Sequence, residues 1–321
     1  PPVLSFGQER LWFLDQWRPG SAAYNVPIVL RLCGEVDGDR MRAAVEAVVR
    51  RHAVLRTTLV AENGRPRPVV GEAGVPWWVV DVRGEGEAAA WELVRGALAE
   101  PFDLGAGPLL RAGLVRYDGG GWLLWLSIHH IACDGWSLDV LLDEVTTLYG
   151  GGDALPELPV SYADFAAWQR RGVDESGVGW WREQLAGAPA LTSLPGDRPR
   201  PDTQSWAGAS YRRPIDPALA ERVGAFAAAN SSTVFQVLFT AFTIVLSRWS
   251  GQSDLVVGTP VAGRSLPELE KLVGFFINTL PLRTRVDEHA TFAQALAATK
   301  TGTVQAQTHA DIPFETLVEA L

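Results

Sequence analysis

The amino-acid sequence predicts a mixed α/β fold built as two lobes of similar design. Three observations carry this. Strand-like and helix-like segments follow one another in both halves of the chain. A proline-rich stretch over 193–202 lies between the halves, where prolines remove backbone donors and restrict their neighbours. No fixed-period repeat points to a solenoid or propeller, and 321 residues suit two such lobes.

Residues 5–17 carry Leu11, Trp12, Phe13 and Leu14 around Gln8 and Arg10, a helical pattern with Ser5 as its cap. Residues 25–32 read as a strand. Asp39 caps a second helix in which Met41, Val45, Val48 and Val49 share a face, ending near Arg50, Arg51 and His52. Segments 56–60, 67–70 and 77–81 read as strands between Gly and Pro signals, and 85–99 as a helix. Two longer strands, 109–116 and 122–128, are joined by the Gly119-Gly120-Gly121 turn. Helical spacing resumes over 137–149 with Leu138, Val140, Leu141 and Val145, and again over 162–170 and 179–185. Beyond the proline-rich connection come a strand near Tyr211, a helix over 217–228 and a buried helix over 233–249. Strands over 255–260 and 279–286, a helix over 292–307 and a final amphipathic helix complete the order. The lobes are expected as 1–172 and 173–321.

With 47% hydrophobic and 20% charged residues the chain has the composition of a globular protein. Its net charge of -9 argues against nonspecific nucleic-acid binding, which needs clustered cations. The longest apolar run, 234–246, is interrupted by Gln236, Thr240 and Thr243 and is too short to cross a bilayer, so no membrane association is expected. Cys33 and Cys133 show no CxxC spacing, which fits a reducing, cytoplasmic setting without a disulfide framework. The chain begins Pro1-Pro2 and stops at Leu321 inside a helical pattern, so an excised piece is expected.

The densest chemical signal is His129-His130-Ile131-Ala132-Cys133-Asp134-Gly135-Trp136-Ser137, placed where a strand gives way to a helix. Adjacent strand residues point to opposite faces, so one histidine of the pair addresses a given cleft. A neutral imidazole there can accept a proton from an amine, alcohol or thiol. Gly135 permits a tight turn that brings backbone N–H groups toward the cleft, where they stabilise a tetrahedral oxyanion. An equally plain reading stands beside this one: His129 and His130 close a strand and Asp134 starts a helix. A metal site is not expected, because His52, His289 and His309 lack ligand spacing around a carboxylate pair. Neither GxxxxGK[ST] nor GxGxxG occurs, and Ser137 lacks a GxSxG elbow. Cys133, beside an apolar neighbour, reads as a small packed residue.

These residues resemble the condensation domains of non-ribosomal peptide synthetases over the whole chain. LSFGQERLWFL (4–14) is similar to the family's opening motif and RHAVLRTT (51–58) to its second. Residues 129–137 match its HHxxxDGxS core. YADFAAWQ (162–169), VGFFINTLPLR (273–283) and HADIPFETLV (309–318) are similar to later motifs, in order.

The resemblance implies a chloramphenicol acetyltransferase-like fold, two lobes in a V with His130 in a tunnel at their interface. It implies an acyltransferase reaction in which a carrier-bound acyl or peptidyl thioester is attacked by the amine of a carrier-bound aminoacyl thioester. Partners would be an upstream donor carrier, a downstream acceptor carrier and an adjacent adenylation domain. The phosphopantetheine arms belong to the carriers, and no cofactor is expected on the domain itself. His130 is then catalytic, positioning the amine and stabilising the charged intermediate, with the Gly135 N–H as oxyanion donor. His129 and Asp134 support the motif, and Asp134 pairs with an arginine, Arg51 as first choice and Arg264 as second. Trp181 and Asn278 are candidate tunnel-lining residues, with packed core and a strand-capping turn as the plainer readings.

The first two motifs look like the subtype joining an L-configured donor to an L-acceptor, with a fatty-acyl starter domain left open. Epimerisation domains and noncatalytic recruitment modules of the same fold are the competing functions, while an intact histidine pair argues against heterocyclisation. The family pattern continues past Leu321, so an incomplete second lobe, an exposed apolar edge and poor solubility are expected.

Overall fold

The computed structural model describes residues 3–152, 154–172, 174–199, 201–202 and 208–321. The stretch expected to be irregular over 193–202 has no helix or strand, Arg200 lying outside the described residues. The chain divides into two compact units, Pro1–Val173 with Ala262–Ile277, and Asp174–Val261 with Asn278–Leu321. The expected boundary near 172 therefore needs one correction: residues 262–277 group with the first unit. Leu269, Leu272, Val273, Phe275 and Phe276 are buried in that unit's core cluster, and burial rather than chain order assigns them.

In the first unit, α1 (Phe6–Trp17) starts at a capping box: Ser5 accepts from the Gln8 N–H and Gln8 reaches back to the Ser5 N–H. β1 (Asn25–Leu32) follows, then α2 (Gly38–Arg51). The cap of α2 is Asp37, whose side chain accepts from the Arg40 N–H. Asp39 already lies inside the first turn, where its charge suits the helix N-terminus without capping it. β2 (Thr57–Glu62) and β3 (Arg65–Val70) form a separate antiparallel pair. β4 (Trp77–Asp81), α3 (Glu87–Ala99), β5 (Leu110–Arg116) and β6 (Trp122–His129) come next, succeeded by α4 (Gly135–Tyr149) and α5 (Tyr162–Arg171).

The main sheet runs β1-β6-β5-β4, antiparallel except for the parallel β4/β5 edge. Leu110, Leu114, Leu126 and Ile128 join one core with Val45, Val48 and Val49 of α2 and Leu141 and Val145 of α4. Val115, Leu123 and Trp125 pack with Ala90 and Val94 of α3 in a second core. β6 is buried from Leu123 to its end, so it reads as a continuous apolar run rather than an alternation, as expected for a strand covered on both faces. That burial makes the end of β6 a rigid mount for the turn that carries His130.

The second unit contains α6 (Glu175–Leu185), α7 (Pro217–Ala229), α8 (Val234–Ser250), the antiparallel pair β7 (Asp254–Val261) and β8 (Asn278–Arg285), α9 (Phe292–Gln307) and α10 (Phe314–Ala320). Its core cluster is small: Ala227, Val237 and Leu296, with Val223 packed against it. Two expectations fail here. Tyr211 lies in no strand and is 89% exposed. α8 is not buried all round: Val237, Phe239, Thr240 and Thr243 are covered, while Phe235, Leu238, Phe242, Val245 and Trp249 are exposed. An apolar composition sets how much a helix can bury, not how many neighbours it meets. Among the described residues no single helix is long and apolar enough to cross a membrane.

Candidate active site

β6 ends at His129, a single 3-10 turn covers His130–Ala132, and α4 starts at Gly135. The chain turns there because both flanking residues cap. The His129 Nδ1 accepts from the Ile131 N–H at 3.1 Å, and Asp134 Oδ1 accepts from the Ser137 N–H at 2.8 Å. The helix expected from Ser137 thus begins two residues earlier.

The two histidines differ in burial and in tautomer. His129 is 2% exposed. Because its Nδ1 accepts, its ring proton sits on Nε2. Burial, then the neighbouring His130, pushes its pKa down to about 4, so the ring is neutral near pH 7. His130 is only partly buried, and its Nδ1 lies 2.6 Å from the Cys133 carbonyl oxygen. A carbonyl only accepts, so Nδ1 carries a proton, and in the neutral ring the lone pair is on Nε2. The His130 N–H is bound to the Tyr24 carbonyl at 2.8 Å, which fixes the backbone as well. Cys133 is fully buried; burial and then the charge of Asp134 push its thiol pKa up, so it is no nucleophile.

Asp134 is 1% exposed and has its acceptor sites filled. Oδ1 receives the Ser137 N–H, the Ser137 hydroxyl at 2.7 Å and Arg264 Nη2 at 3.1 Å, and Oδ2 receives the Phe276 N–H at 3.0 Å. Arg264 also donates to the carbonyls of Leu269 at 2.5 Å and Leu272 at 2.9 Å, and its guanidinium lies 3.9 Å from the Phe276 ring centroid. Arg51, the first choice for this pairing, is corrected: its Nε donates to Glu144 at 2.9 Å. Glu144 lies about 15 Å further along α4, opposite the C-terminal end of α2, out of reach of Asp134.

Gly135 is exposed, with open space where a Cβ would stand. As the first residue of α4 its N–H has no partner within the helix and lies at the positive end of the helix dipole. Trp136, next to it, donates its indole N–H to the Glu270 carbonyl at 2.9 Å.

Trp181 and Asn278 are both committed to structure inside the second unit. Trp181 is 1% exposed, and its Nε1 donates to the His309 carbonyl at 3.1 Å. Asn278 donates to the carbonyls of Ala310 and Ile312 and accepts from the Phe314 N–H at 2.9 Å. It thereby supplies the cap that Pro313 cannot give to α10. Both therefore show the plainer roles of packing and capping, and Trp181 also borders a cavity within the second unit.

Several residues that shape the site carried no assigned role in the sequence: Ser137, His52, Glu144, Tyr162, Gly274 and Phe275. All but Glu144 and Gly274 would have been visible as polar or aromatic members of the motif strings. Apart from Asp134, three residues from Ser137, their partners lie between 92 and 221 residues away and were not. Among the described residues no cluster of three or more His, Cys, Asp or Glu side chains forms a metal site.

A family model described as Condensation domain matches residues 2–321. The chain is 43% identical over 333 aligned residues to phosphinothricin tripeptide synthetase PhsC of Streptomyces viridochromogenes, covering 99% of this chain and 31% of that protein. It thus spans about a third of that relative. Among solved structures, the X-domain in its complex with OxyB from teicoplanin biosynthesis superposes with a TM-score of 0.88 at 27% identity, covering 99% of this chain and 72% of that one. The condensation domain of the monacolin K polyketide synthase MokA superposes with a TM-score of 0.86 at 26% identity, covering 99% and 75%. A mixed α/β architecture shared with these neighbours is the chloramphenicol acetyltransferase-like fold. The core signature of Asp134 capping the helix behind two histidines and the match from residue 2 to residue 321 agree: this chain belongs to the condensation-domain family of non-ribosomal peptide synthetases.

Proposed function

We propose that this chain forms an amide bond between a carrier-bound acyl or peptidyl thioester and the amine of a carrier-bound aminoacyl thioester. The observation that carries the reading is the tautomer of His130. With Nδ1–H held by the Cys133 carbonyl, Nε2 is the one ring nitrogen that can accept, and no protein group among the described residues engages it.

An α-amine titrates near ~8, so a neutral fraction exists at cellular pH and a strong base is unnecessary. Nε2 accepts a hydrogen bond from the amine N–H and points the nitrogen lone pair at the thioester carbonyl. Holding the two reactants in that geometry supplies most of the acceleration. Attack forms the C–N bond and places negative charge on the carbonyl oxygen, where the Gly135 N–H at the start of α4 is the proposed donor. Collapse breaks the C–S bond. The ammonium proton passes to Nε2 and on to the departing thiolate, leaving amide, free thiol and neutral His130. The neutral state of His129 keeps a second positive charge away from the ring that must accept this proton.

Phosphopantetheine enters as the arm of each carrier, so donor carrier, acceptor carrier and adenylation domain are the proposed partners. The first two motifs, 4–14 and 51–58, support the L-donor, L-acceptor subtype. The test is a matrix of carriers loaded with proteinogenic L-aminoacyl thioesters, read by mass spectrometry. We expect amide product with at least one pair and a loss of about 10²-fold or more in His130→Ala. Unchanged turnover in that variant overturns the role of His130. An inverted stereocentre, or carrier binding without product, overturns amide formation.

A further inference from the structure

We infer that Phe275 is a positioning residue for His130, mounted on a backbone segment that side chains of three separate motifs grip. The inference rests on the reading of His130 as catalytic. The Phe275 ring meets the His130 imidazole edge to face, with centroids 5.1 Å apart and planes at 89°. Hydrogen bonding at Nδ1 alone leaves the ring free to swing in its own plane and to tilt about that bond. An aromatic wall at right angles removes the tilt and gives Nε2 one direction.

What makes Phe275 a fixed wall is the treatment of its own backbone. The Val273 N–H is bound by His52 Nδ1 at 3.4 Å, and His52 Nε2 lies 2.8 Å from Glu144 Oε2. The Gly274 N–H and carbonyl meet the Ser137 hydroxyl at 3.0 and 2.8 Å. The Phe275 carbonyl accepts from the Tyr162 hydroxyl at 2.6 Å, and Ser5 Oγ lies 2.8 Å from that hydroxyl. The Phe276 N–H is held by Asp134. Four successive residues without regular secondary structure are thus held by side chains from the end of α2, from α4 with its cap and from α5, the last of these braced in turn by Ser5 at the cap of α1.

Two glycines make room for this arrangement. A Cβ on Gly274 would stand 2.0 Å from the Tyr162 ring, and one on Gly7 would stand 2.6 Å from the Phe275 ring. The His130 turn is held from α1 as well, since Gln8 Nε2 donates to the Ile131 carbonyl at 3.1 Å. The opening motif and the 273–276 segment therefore both contact the His130 turn.

A packing role and a positioning role separate in a double-mutant cycle. Phe275→Leu is measured with His130 intact and in the His130→Ala background, in the full-length protein, with the carrier-bound pair that the unaltered protein turns over fastest. We expect kcat to fall about 10- to 100-fold with KM within twofold, the scale set by a misplacement near 1 Å. In the His130→Ala background the same change should cost less than twofold. Tyr162→Phe, which frees the Phe275 carbonyl without touching the ring, should show the same pattern at a smaller size, and covers the case where Phe275→Leu fails to fold. An equal loss in both backgrounds, or no loss at all, overturns the positioning role. Full turnover in His130→Ala alone overturns the catalytic reading instead, so the two failures are distinguishable.

Discussion

The start and the middle of α4 each carry a buried carboxylate paired with an arginine, and the two pairs are built differently. At the start, Asp134 and Arg264 are both 1% exposed, and Asp134 is satisfied by fixed donors: two backbone N–H groups, a hydroxyl and the guanidinium. In the middle, Glu144 takes Arg51 on one oxygen and His52 on the other, and Arg51 keeps 17% of its side-chain surface in solvent. A charge pair closed off from water holds its geometry, because loss of either partner strands the other charge. A pair with a solvent-facing member has a fallback in hydration. The residues around His130 lean on the closed pair, while the open pair braces α2 and Val273 behind it.

The largest expected effect comes from that contrast. Asp134→Ala leaves Arg264 buried without a counter-charge and should cost about 3 to 5 kcal/mol of stability in urea denaturation. Normal unfolding with lost turnover would instead make Asp134 a purely functional group.

Next comes acid. His129 has a folded pKa of about 4 against an ordinary value of 6.5, so between those pH values the unfolded chain binds the proton and the folded one does not. Stability is complete above pH 6.5 and falls as pH drops toward 4, by ~3 kcal/mol at the lower end. Denaturation midpoints at pH 7.5 and 4.5 check this, and a His129→Asn variant that keeps the full acid slope would remove His129 as its source.

A smaller effect is expected for Ser137→Ala, which deletes the hydroxyl shared by Asp134, Arg264 and Gly274 but leaves the ion pair. It should cost about 1 to 3 kcal/mol, the range for buried groups left without a partner. The smallest is Glu144→Gln, at about 1 kcal/mol, because Arg51 can turn to water. Although burial opposes it, contact with His52 and Arg51 holds the Glu144 pKa below its ordinary 4.5. The stability it contributes is present above pH 4.5 and is lost as pH falls through the folded value, and Glu144→Gln should remove that part of the acid limb. A Glu144→Gln cost equal to that of Asp134→Ala would erase the distinction between the two pairs.

Much of the secondary structure was legible because its signals are local. Ser5 with Gln8, Thr233 with Gln236 and Thr291 with Gln294 form capping boxes whose partners stand three positions apart, and each opens its helix. Asp39 was read as the cap of α2 and Asp37 holds that place instead: an aspartate suits a helix start at either position, and only the backbone geometry chose between them. Tyr211 failed for the opposite reason: a strand exists only where another strand pairs with it, and a lone aromatic says nothing about that.

The sequence by itself determined a strand, a turn and a helix across 122–149, the cap that Asp134 supplies and the chemical types that stand at the site. Those arise from hydrogen bonds closed within a few residues and from apolar runs that must be buried. Tertiary structure alone decided which arginine meets Asp134, since Arg264 lies 130 residues away and Arg51 faces the wrong turn of α4. It also decided that Phe275 stands against His130 and that half of α8 stays exposed. Partner choice over such separations depends on which surfaces pack together, and packing is a property of the folded volume rather than of neighbouring residues.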